Sequence, residues 1–134
     1  MGGDEVPTGV WTDSPACQQL MAEQGYQDCR ELQGHLLRHC QQYLAGKGKQ
    51  MLGWEEILHG DKVSREATVF AWTSFQAGLD AAASGYPVVM APAQHLYLDL
   101  AWSQDIHEPG LYWAGTLNLA QVHACDPAPA DFHA

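Results

Sequence analysis

The chain has 134 residues, of which 46 % are hydrophobic and 16 % charged, and its formal net charge is −10 at pH 7. This composition is typical of a folded domain with its own hydrophobic core and excludes a disordered tail. The 6 basic residues against 16 acidic ones are too few for the basic surface that binds phosphate, so we expect no nucleic-acid partner. Because no apolar run reaches the about 20 residues of a transmembrane helix, we also expect no membrane span.

Two adjacent carboxylates follow two glycines at the start of the chain, in Gly2-Gly3-Asp4-Glu5. We expect a strand to end here, and we expect the glycines to leave room for a ligand to approach the backbone. Neighbouring acids whose proton affinities are pushed apart can supply both an acid and a base at one pH. Asp4 and Glu5 are therefore candidate catalytic residues. Because almost nothing precedes this strand, we expect the chain to be part of a larger protein.

Two helices are predicted next. The stretch 6–11 is polar and rich in turn formers, so we expect it to be irregular. Ser14 followed by Pro15 is typical of an N-cap and the first helical position, which predicts a helix to about residue 23 that stops near Gly25. Apolar residues then recur at helical spacing through 32–44, and Gly46 predicts the end of this second helix.

Three apolar segments predict strands, at residues 50–54, 68–72 and 87–91. Ser74 predicts the N-cap of a helix between the last two strands, and Gly85 predicts its end. Apolar strands separated by helices or long connections are typical of a parallel sheet covered on both faces, which suits a β/α barrel or a doubly wound sheet. We expect the remainder to be mostly loop, with a short helical or extended piece within 94–102 and a short helix within 117–122.

Aromatic and acidic residues follow the predicted strands, where a parallel sheet brings ligand-binding groups to one edge. They are Asp4, Glu5, Trp54, Glu55, Glu56, Trp72, Tyr97 and Asp99. Indole rings pack on the apolar face of a pyranose and carboxylates accept hydrogen bonds from its hydroxyls, so the combination indicates a sugar site. Structural alternatives stay open: a tryptophan at a strand end can be core or rim packing, Glu55 and Glu56 can begin a helix, and Asp99 can cap one.

Histidines and cysteines allow a different interpretation. His35, His39 and Cys40 lie at helical spacing and allow a metal or redox site, but no further ligand is evident, and a solvated helix face is the simpler explanation. Cys17 and Cys29 can form a disulfide in an exported protein or remain small buried thiols. We therefore expect no metal site and no cofactor.

The Gly2-Gly3-Asp4-Glu5 motif is one of several segments that match a known pattern in order along the chain. The others lie at 49–58, 70–72, 88–92, 96–99 and 113–115. Together they make the sequence similar to the family 20 glycoside hydrolases, the β-N-acetylhexosaminidase and chitobiase group, whose motif is His-x-Gly-Gly-Asp-Glu. Met1 takes the variable position of that motif, and the resemblance covers nearly the whole chain.

This resemblance implies an α/β fold with a parallel sheet, a partial (β/α)8 TIM barrel made of roughly strands 4 to 7 with their helices. Residues 1–134 would then be a fragment of a single catalytic domain, its C-terminal half, truncated at both ends, because an intact barrel takes about 250 residues. The arginine that grips sugar hydroxyls in the family and its last-strand Trp-x-Glu motif have no match here. We therefore expect the isolated chain to be inactive or nearly so, and to self-associate through its exposed sheet edges.

The resemblance also implies an exo-acting β-N-acetylhexosaminidase that removes terminal β-linked N-acetylglucosamine or N-acetylgalactosamine from oligosaccharides by a substrate-assisted retaining mechanism. Glu5 matches the family's general acid, and Asp4 matches the residue that orients the acetamide group. Tyr97 matches the hydroxyl that binds the acetamide carbonyl, and Asp99 matches a partner of a sugar hydroxyl. The walls of the acetamide pocket are matched by Trp54, Trp72 and Trp113. The alternative is a non-catalytic, self-associating half barrel or sugar-binding module.

Overall fold

The computed structural model describes residues 1–7 and 9–128. The elements, in chain order, are α1 (Gly9–Thr12), α2 (Pro15–Gln24), α3 (Cys29–Ala45), β1 (Leu52–Trp54), a 3₁₀ helix (Glu55–Leu58), β2 (Thr68–Ala71), α4 (Phe75–Ala83), β3 (Val88–Met90), α5 (Ala93–Leu96) and α6 (Leu119–Ala124). The helices predicted to begin at the two serine caps, the long second helix and the three internal strands are confirmed. None of the helices in the described ranges is long and apolar enough to span a membrane.

Local capping determines where the first two long helices begin and end. The Ser14 hydroxyl accepts a hydrogen bond from the Cys17 backbone N–H at 3.5 Å, and Gly25 ends α2 in the left-handed region with φ +70°. The Asp28 and Glu31 side chains form a capping box at the start of α3, in which each accepts a backbone N–H that the helix leaves without a partner.

The prediction of an irregular stretch at 6–11 is wrong in part, because Gly9–Thr12 form a single helical turn. The Asp13 backbone N–H and the Thr12 hydroxyl both donate to the Gly9 carbonyl, at 3.3 and 2.8 Å. One turn is too short to leave a periodic signal in the sequence. Thr8, in the same stretch, lies outside the described residues.

The sheet consists of three parallel strands in the order β1-β2-β3, which confirms the predicted parallel α/β fold. The strand expected to end at the two acids does not form. Instead, Met1 and Gly2 lie beside β1 through two hydrogen bonds, from Met1 N to the Leu52 carbonyl at 2.9 Å and from Trp54 N to the Gly2 carbonyl at 3.1 Å. Two paired residues are fewer than a strand requires.

The two faces of the sheet have different environments. One face packs into the core, which comprises Leu37, Met51, Ile57, Val63, Ala67, Val69, Ala81 and Tyr86. The strand register places Leu52, Trp54, Phe70 and Val89 together on the opposite face, where Leu52 is 42 % and Val89 39 % exposed. The expectation of a sheet covered on both faces is therefore wrong for the described residues. The helix α4 covers β2 and β3 on the core side, whereas Leu52 and Val89 stay exposed on the opposite side.

Candidate active site

An open cavity of about 410 Å³ lies at the carboxyl ends of the strands. It is lined by Asp4, Glu5, Trp54, Trp72, Tyr97 and Trp113. Trp54 is the last residue of β1 and Trp72 directly follows β2, so the parallel strands bring both indoles to the same edge of the sheet. The structure thus brings six of the seven predicted site residues to one cavity.

Asp99, the seventh predicted residue, lies outside this lining. It is exposed and borders a neighbouring cavity of about 430 Å³ together with Glu108. Its backbone carbonyl accepts a hydrogen bond from the Leu111 backbone N–H at 2.8 Å. Because α5 ends before it, at Leu96, and α6 is capped by Asn118, the alternative that Asp99 caps a helix is wrong.

The segment that carries Asp4 and Glu5 has an unusual backbone. Gly3 has φ +100° and Glu5 has φ +49°, in the region that residues other than glycine rarely adopt. A Cβ on Gly3 would lie 2.7 Å from Ile57 Cγ2, and a Cβ on Gly53 would lie 2.5 Å from the same atom. Ile57 is fully buried, so both glycines allow the acid segment and β1 to close on it. We expected Gly3 to make room for a ligand, but it makes room for this core side chain.

Glu55 and Glu56 hold Trp72 by its backbone and by its ring. The Trp72 backbone N–H donates to Glu55 Oε2 at 2.8 Å, and the indole Nε1–H donates to Glu56, whose two carboxylate oxygens lie 3.1 and 3.2 Å away. Thr73 donates to Glu55 through its backbone N–H and its hydroxyl. The alternative that the two acids begin a helix is confirmed as well, because they open the 3₁₀ helix.

Sequence reasoning noticed Glu55 and Glu56 as acids after a strand but did not recognise them as groups that hold an indole. The available signal was their position directly after β1, since the carboxyl end of one parallel strand lies next to the carboxyl end of its neighbour. That geometry places them beside Trp72, the residue after β2.

Aromatic rings along the cavity support one another through edge contacts. The Trp113 ring centroid lies 5.9 Å from that of Trp72 and 5.7 Å from that of Tyr97, with interplanar angles of 61° and 75°. Trp54 contacts Phe70 in the same manner at 5.9 Å. Each such pair contributes about 0.5–1.5 kcal/mol beyond the burial of its area, so these ring contacts add to the hydrogen bonds that fix the wall of the cavity.

The Tyr97 phenol lies in acidic surroundings. Burial raises the pKa of Tyr97, and the negative charges of Asp4, Asp99, Glu55 and Glu56 raise it further. The phenol therefore keeps its proton at neutral pH, and it can donate a hydrogen bond into the cavity. The same concentration of carboxylates disfavours an anionic ligand and is indifferent to a neutral one.

The metal-site alternative at His35, His39 and Cys40 finds no support in residues 1–7 and 9–128, where no three His, Cys, Asp or Glu side chains come together as metal ligands. His35 Nδ1 instead shares a hydrogen bond of 2.9 Å with the Tyr26 hydroxyl. Cys17 and Cys29 are both free, so the structure agrees with the thiol alternative and not with a disulfide.

Comparison with known proteins identifies the family. The model of the glycosyl hydrolase family 20 catalytic domain matches residues 1–134. This chain belongs to glycosyl hydrolase family 20. Its relatives include a β-hexosaminidase of Vibrio furnissii, 50 % identical over 127 residues, and a β-hexosaminidase of Porphyromonas gingivalis, 35 % identical over 135 residues. A solved structure of a family 20 exo β-N-acetylglucosaminidase of Vibrio harveyi, in complex with N-acetylglucosamine, matches with a TM-score of 0.89 at 48 % identity.

These matches cover most of this chain but a small part of each relative. They span 95 % and 100 % of the chain against 21 % and 17 % of the two relatives, and 96 % of the chain against 20 % of the solved structure. The chain therefore spans about a fifth of the length of these family 20 proteins. Its α/β fold with a parallel three-stranded sheet matches that of its TIM-barrel neighbours.

Proposed function

We propose that this chain carries the catalytic acids of an exo-acting β-N-acetylhexosaminidase, which removes terminal β-linked N-acetylglucosamine or N-acetylgalactosamine from oligosaccharides. The observation that carries the proposal is the shared cavity, in which two carboxylates, three indoles and one phenol meet. Family 20 membership and the likeness to a solved exo β-N-acetylglucosaminidase support the choice of sugar. An N-acetylated sugar is neutral, so the acidic surroundings do not repel it.

The proposed reaction is substrate-assisted and retains the anomeric configuration. The oxygen of the substrate's 2-acetamido group attacks the anomeric carbon while Glu5 gives its proton to the departing glycosidic oxygen, which leaves as an alcohol. Asp4 accepts a hydrogen bond from the acetamide N–H and stabilises the positive charge of the oxazolinium-like intermediate. A water molecule then attacks the anomeric carbon, Glu5 takes up the water's proton, and the C–O bond to the acetamide oxygen breaks.

The other cavity residues are proposed to shape the acetamide side. Tyr97, a phenol that keeps its proton at neutral pH, donates to the acetamide carbonyl and orients it for attack. The indoles of Trp54, Trp72 and Trp113 enclose the acetamide and the apolar sugar face. Asp99 is proposed to accept a hydrogen bond from an outer sugar hydroxyl, in keeping with its place in the neighbouring cavity. No step of this reaction requires a cofactor.

We further propose that residues 1–134 are a fragment of one β/α barrel, roughly its strands 4 to 7. The sequential parallel sheet, its open face and the share of the relatives that the chain spans support this proposal. An isolated fragment would lack groups that position the sugar, and positioning carries much of catalysis, so we expect little or no activity from it. The open apolar face also favours the second candidate, a non-catalytic half barrel that self-associates or binds sugar.

The test is the hydrolysis of an aryl N-acetyl-β-glucosaminide by the longest natural protein that contains this chain. Glu5→Gln keeps the size of the side chain but donates no acidic proton, so we expect kcat to fall by about 10²- to 10⁴-fold. Glu66→Gln changes an exposed glutamate outside the cavity and should keep the wild-type rate. Equal rates for Glu5→Gln and the wild type would exclude Glu5 as the acid. Sugar binding without any hydrolysis would favour the binding module.

A further inference from the structure

Gln33 is a buried polar residue of α3 that contacts the backbone of the acid segment. It is 6 % exposed, and its side-chain Nε2–H donates to the Gly3 carbonyl at 2.7 Å and to the Glu56 carbonyl at 3.4 Å. Gly3 directly precedes Asp4, and Glu56 holds the Trp72 indole. One amide group therefore joins the segment that carries the acids to the 3₁₀ helix that holds the aromatic wall.

Close packing of α3 brings Gln33 to this position. A Cβ on Gly34 would lie 2.8 Å from Lys62 Cγ and 3.0 Å from the His59 carbonyl oxygen. A Cβ on Gly60, whose φ is +78°, would lie 2.6 Å from the Arg30 carbonyl oxygen. The two glycines thus let the helix and the loop after the 3₁₀ helix meet backbone to backbone, and Gln33 can reach two carbonyls at once.

The acid segment depends on such support. With Gly3 at φ +100° and Glu5 at φ +49°, its backbone persists only where the surrounding structure holds it. Among the described residues, Gln33 makes the one side-chain hydrogen bond onto residues 1–7. The two backbone hydrogen bonds to β1 hold Met1 and Gly2, so among the described residues Gln33 makes the hydrogen bond onto this segment that lies nearest to the two acids in the sequence.

We propose that Gln33 is a positioning residue. It fixes the position of Asp4 and Glu5 relative to the Glu55–Leu58 3₁₀ helix, and hence relative to the Trp72 indole that this helix binds. Its catalytic consequence rests on the proposed hydrolase function, whereas its effect on the acid segment does not. Gln33 is absent from the lining of the cavity, so it acts through the backbone and not by contact with the substrate.

Gln41 offers a matched control on the same helix. It is 8 % exposed, its Nε2–H donates to Ser64 Oγ at 2.9 Å, and its Oε1 accepts from the Ser64 backbone N–H at 2.9 Å. Gln33→Met and Gln41→Met each remove one buried amide of α3 and keep a side chain of similar length. We expect both variants to melt at a lower temperature than the wild type, since each loses the part-buried hydrogen bonds that its amide makes to the backbone.

Only Gln33→Met should affect the acids. In the longest natural protein that contains this chain, we expect its kcat on the aryl N-acetyl-β-glucosaminide to fall on the order of 10- to 100-fold relative to Gln41→Met, with a smaller change in KM. We also expect faster exchange of the Trp54 backbone N–H, which donates to the Gly2 carbonyl at 3.1 Å, for Gln33→Met and not for Gln41→Met. Unchanged exchange of the Trp54 N–H, or equal kcat values in the two variants, would overturn the proposal.

The exchange measurement separates this proposal from the proposed function, because it decides on Gln33 even if the wild type hydrolyses nothing. Gln33→Glu covers the case in which the methionine variant fails to fold. Its protonated carboxyl can donate to the Gly3 carbonyl, whereas its ionised form has no donor and faces two carbonyl oxygens. The ratio of its kcat to that of the wild type, and its protection of the Trp54 N–H from exchange, should therefore fall as pH rises. Ratios that do not change with pH would contradict the proposed role.

Discussion

The indole N–H of Trp72 donates to the Glu56 carboxylate, 3.1 and 3.2 Å from its two oxygens, and Glu55 receives the backbone N–H of the same tryptophan at 2.8 Å. Two consecutive acids thus hold one wall of the cavity without belonging to its lining. Hydrogen bonds to charged groups contribute about 1.5–3 kcal/mol each, so the orientation of this indole is strongly determined.

Replacing Glu56 should make the Trp72 indole more mobile. Glu56→Leu leaves the indole N–H without its acceptor, so we expect KM for the aryl N-acetyl-β-glucosaminide to rise by roughly tenfold, equivalent to about 1.4 kcal/mol of binding. Glu56→Gln keeps a carbonyl acceptor and should fall between this variant and the wild type. Steady-state kinetics and tryptophan fluorescence measure the two effects. A KM no higher than that of the surface variant Glu66→Leu would show that the contact does not organise the site.

An alanine at Gly3 should destabilise the fold for two separate reasons. The backbone at φ +100° disfavours any side chain, and the added Cβ would lie 2.7 Å from Ile57 Cγ2. We expect each cause to reduce the free energy of unfolding by about 1–3 kcal/mol. Gly48→Ala is the control, because Gly48 has φ +67° and open space around it and so reports the backbone cost alone. Urea unfolding compares the two, and equal losses would mean that Ile57 moves aside at no cost.

Tyr97 and Tyr86 should titrate late in the folded protein. Burial raises the pKa of Tyr97 and of Tyr86, and nearby carboxylates add to the effect at Tyr97. Tyr97→Phe and Tyr86→Phe should therefore each remove one late transition from the phenolate absorbance titration. A late phase that survives intact in Tyr97→Phe would contradict the acidic surroundings of this phenol.

The same titration has a consequence for stability. Because the folded-state pKa of Tyr97 lies above the unfolded value of about 10, the folded state binds this proton more tightly. The contribution to the free energy of unfolding is fully present below the unfolded pKa and is lost as pH rises through the folded pKa. Tyr97→Phe should flatten this alkaline decline, which urea unfolding at a series of alkaline pH values would measure.

The isolated chain should self-associate through the open face of its sheet. Leu52 and Val89 are 42 % and 39 % exposed on that face, and apolar surface of this kind favours association. Light scattering should show oligomers that Leu52→Lys or Val89→Lys dissociates. Val10→Lys, at a 71 % exposed position on α1, should leave the oligomers unchanged. A monomeric wild type with full hydrolytic activity would exclude both the association and the need for further barrel strands.

Much of the fold was predictable because its signals act over short distances. Ser14 and Ser74 cap α2 and α4 as predicted, since a cap satisfies backbone N–H groups within one helical turn. The three strands were detectable as short apolar segments, and their parallel direction brings the residues after them to one edge. For this reason six predicted residues meet at one cavity, although Asp4 and Trp113 are far apart in the sequence.

What the sequence by itself determined is therefore the family motif, the elements and the group of acids and aromatic rings at the strand ends. Only the tertiary structure decided that Gly3 faces Ile57, that Asp99 borders a second cavity, and that one sheet face is open. It also decided that Gln33 meets the Gly3 carbonyl across 30 positions of sequence. The physical reason is that caps and periodicity act within one element, whereas such contacts depend on how closely two elements approach, which no local pattern records.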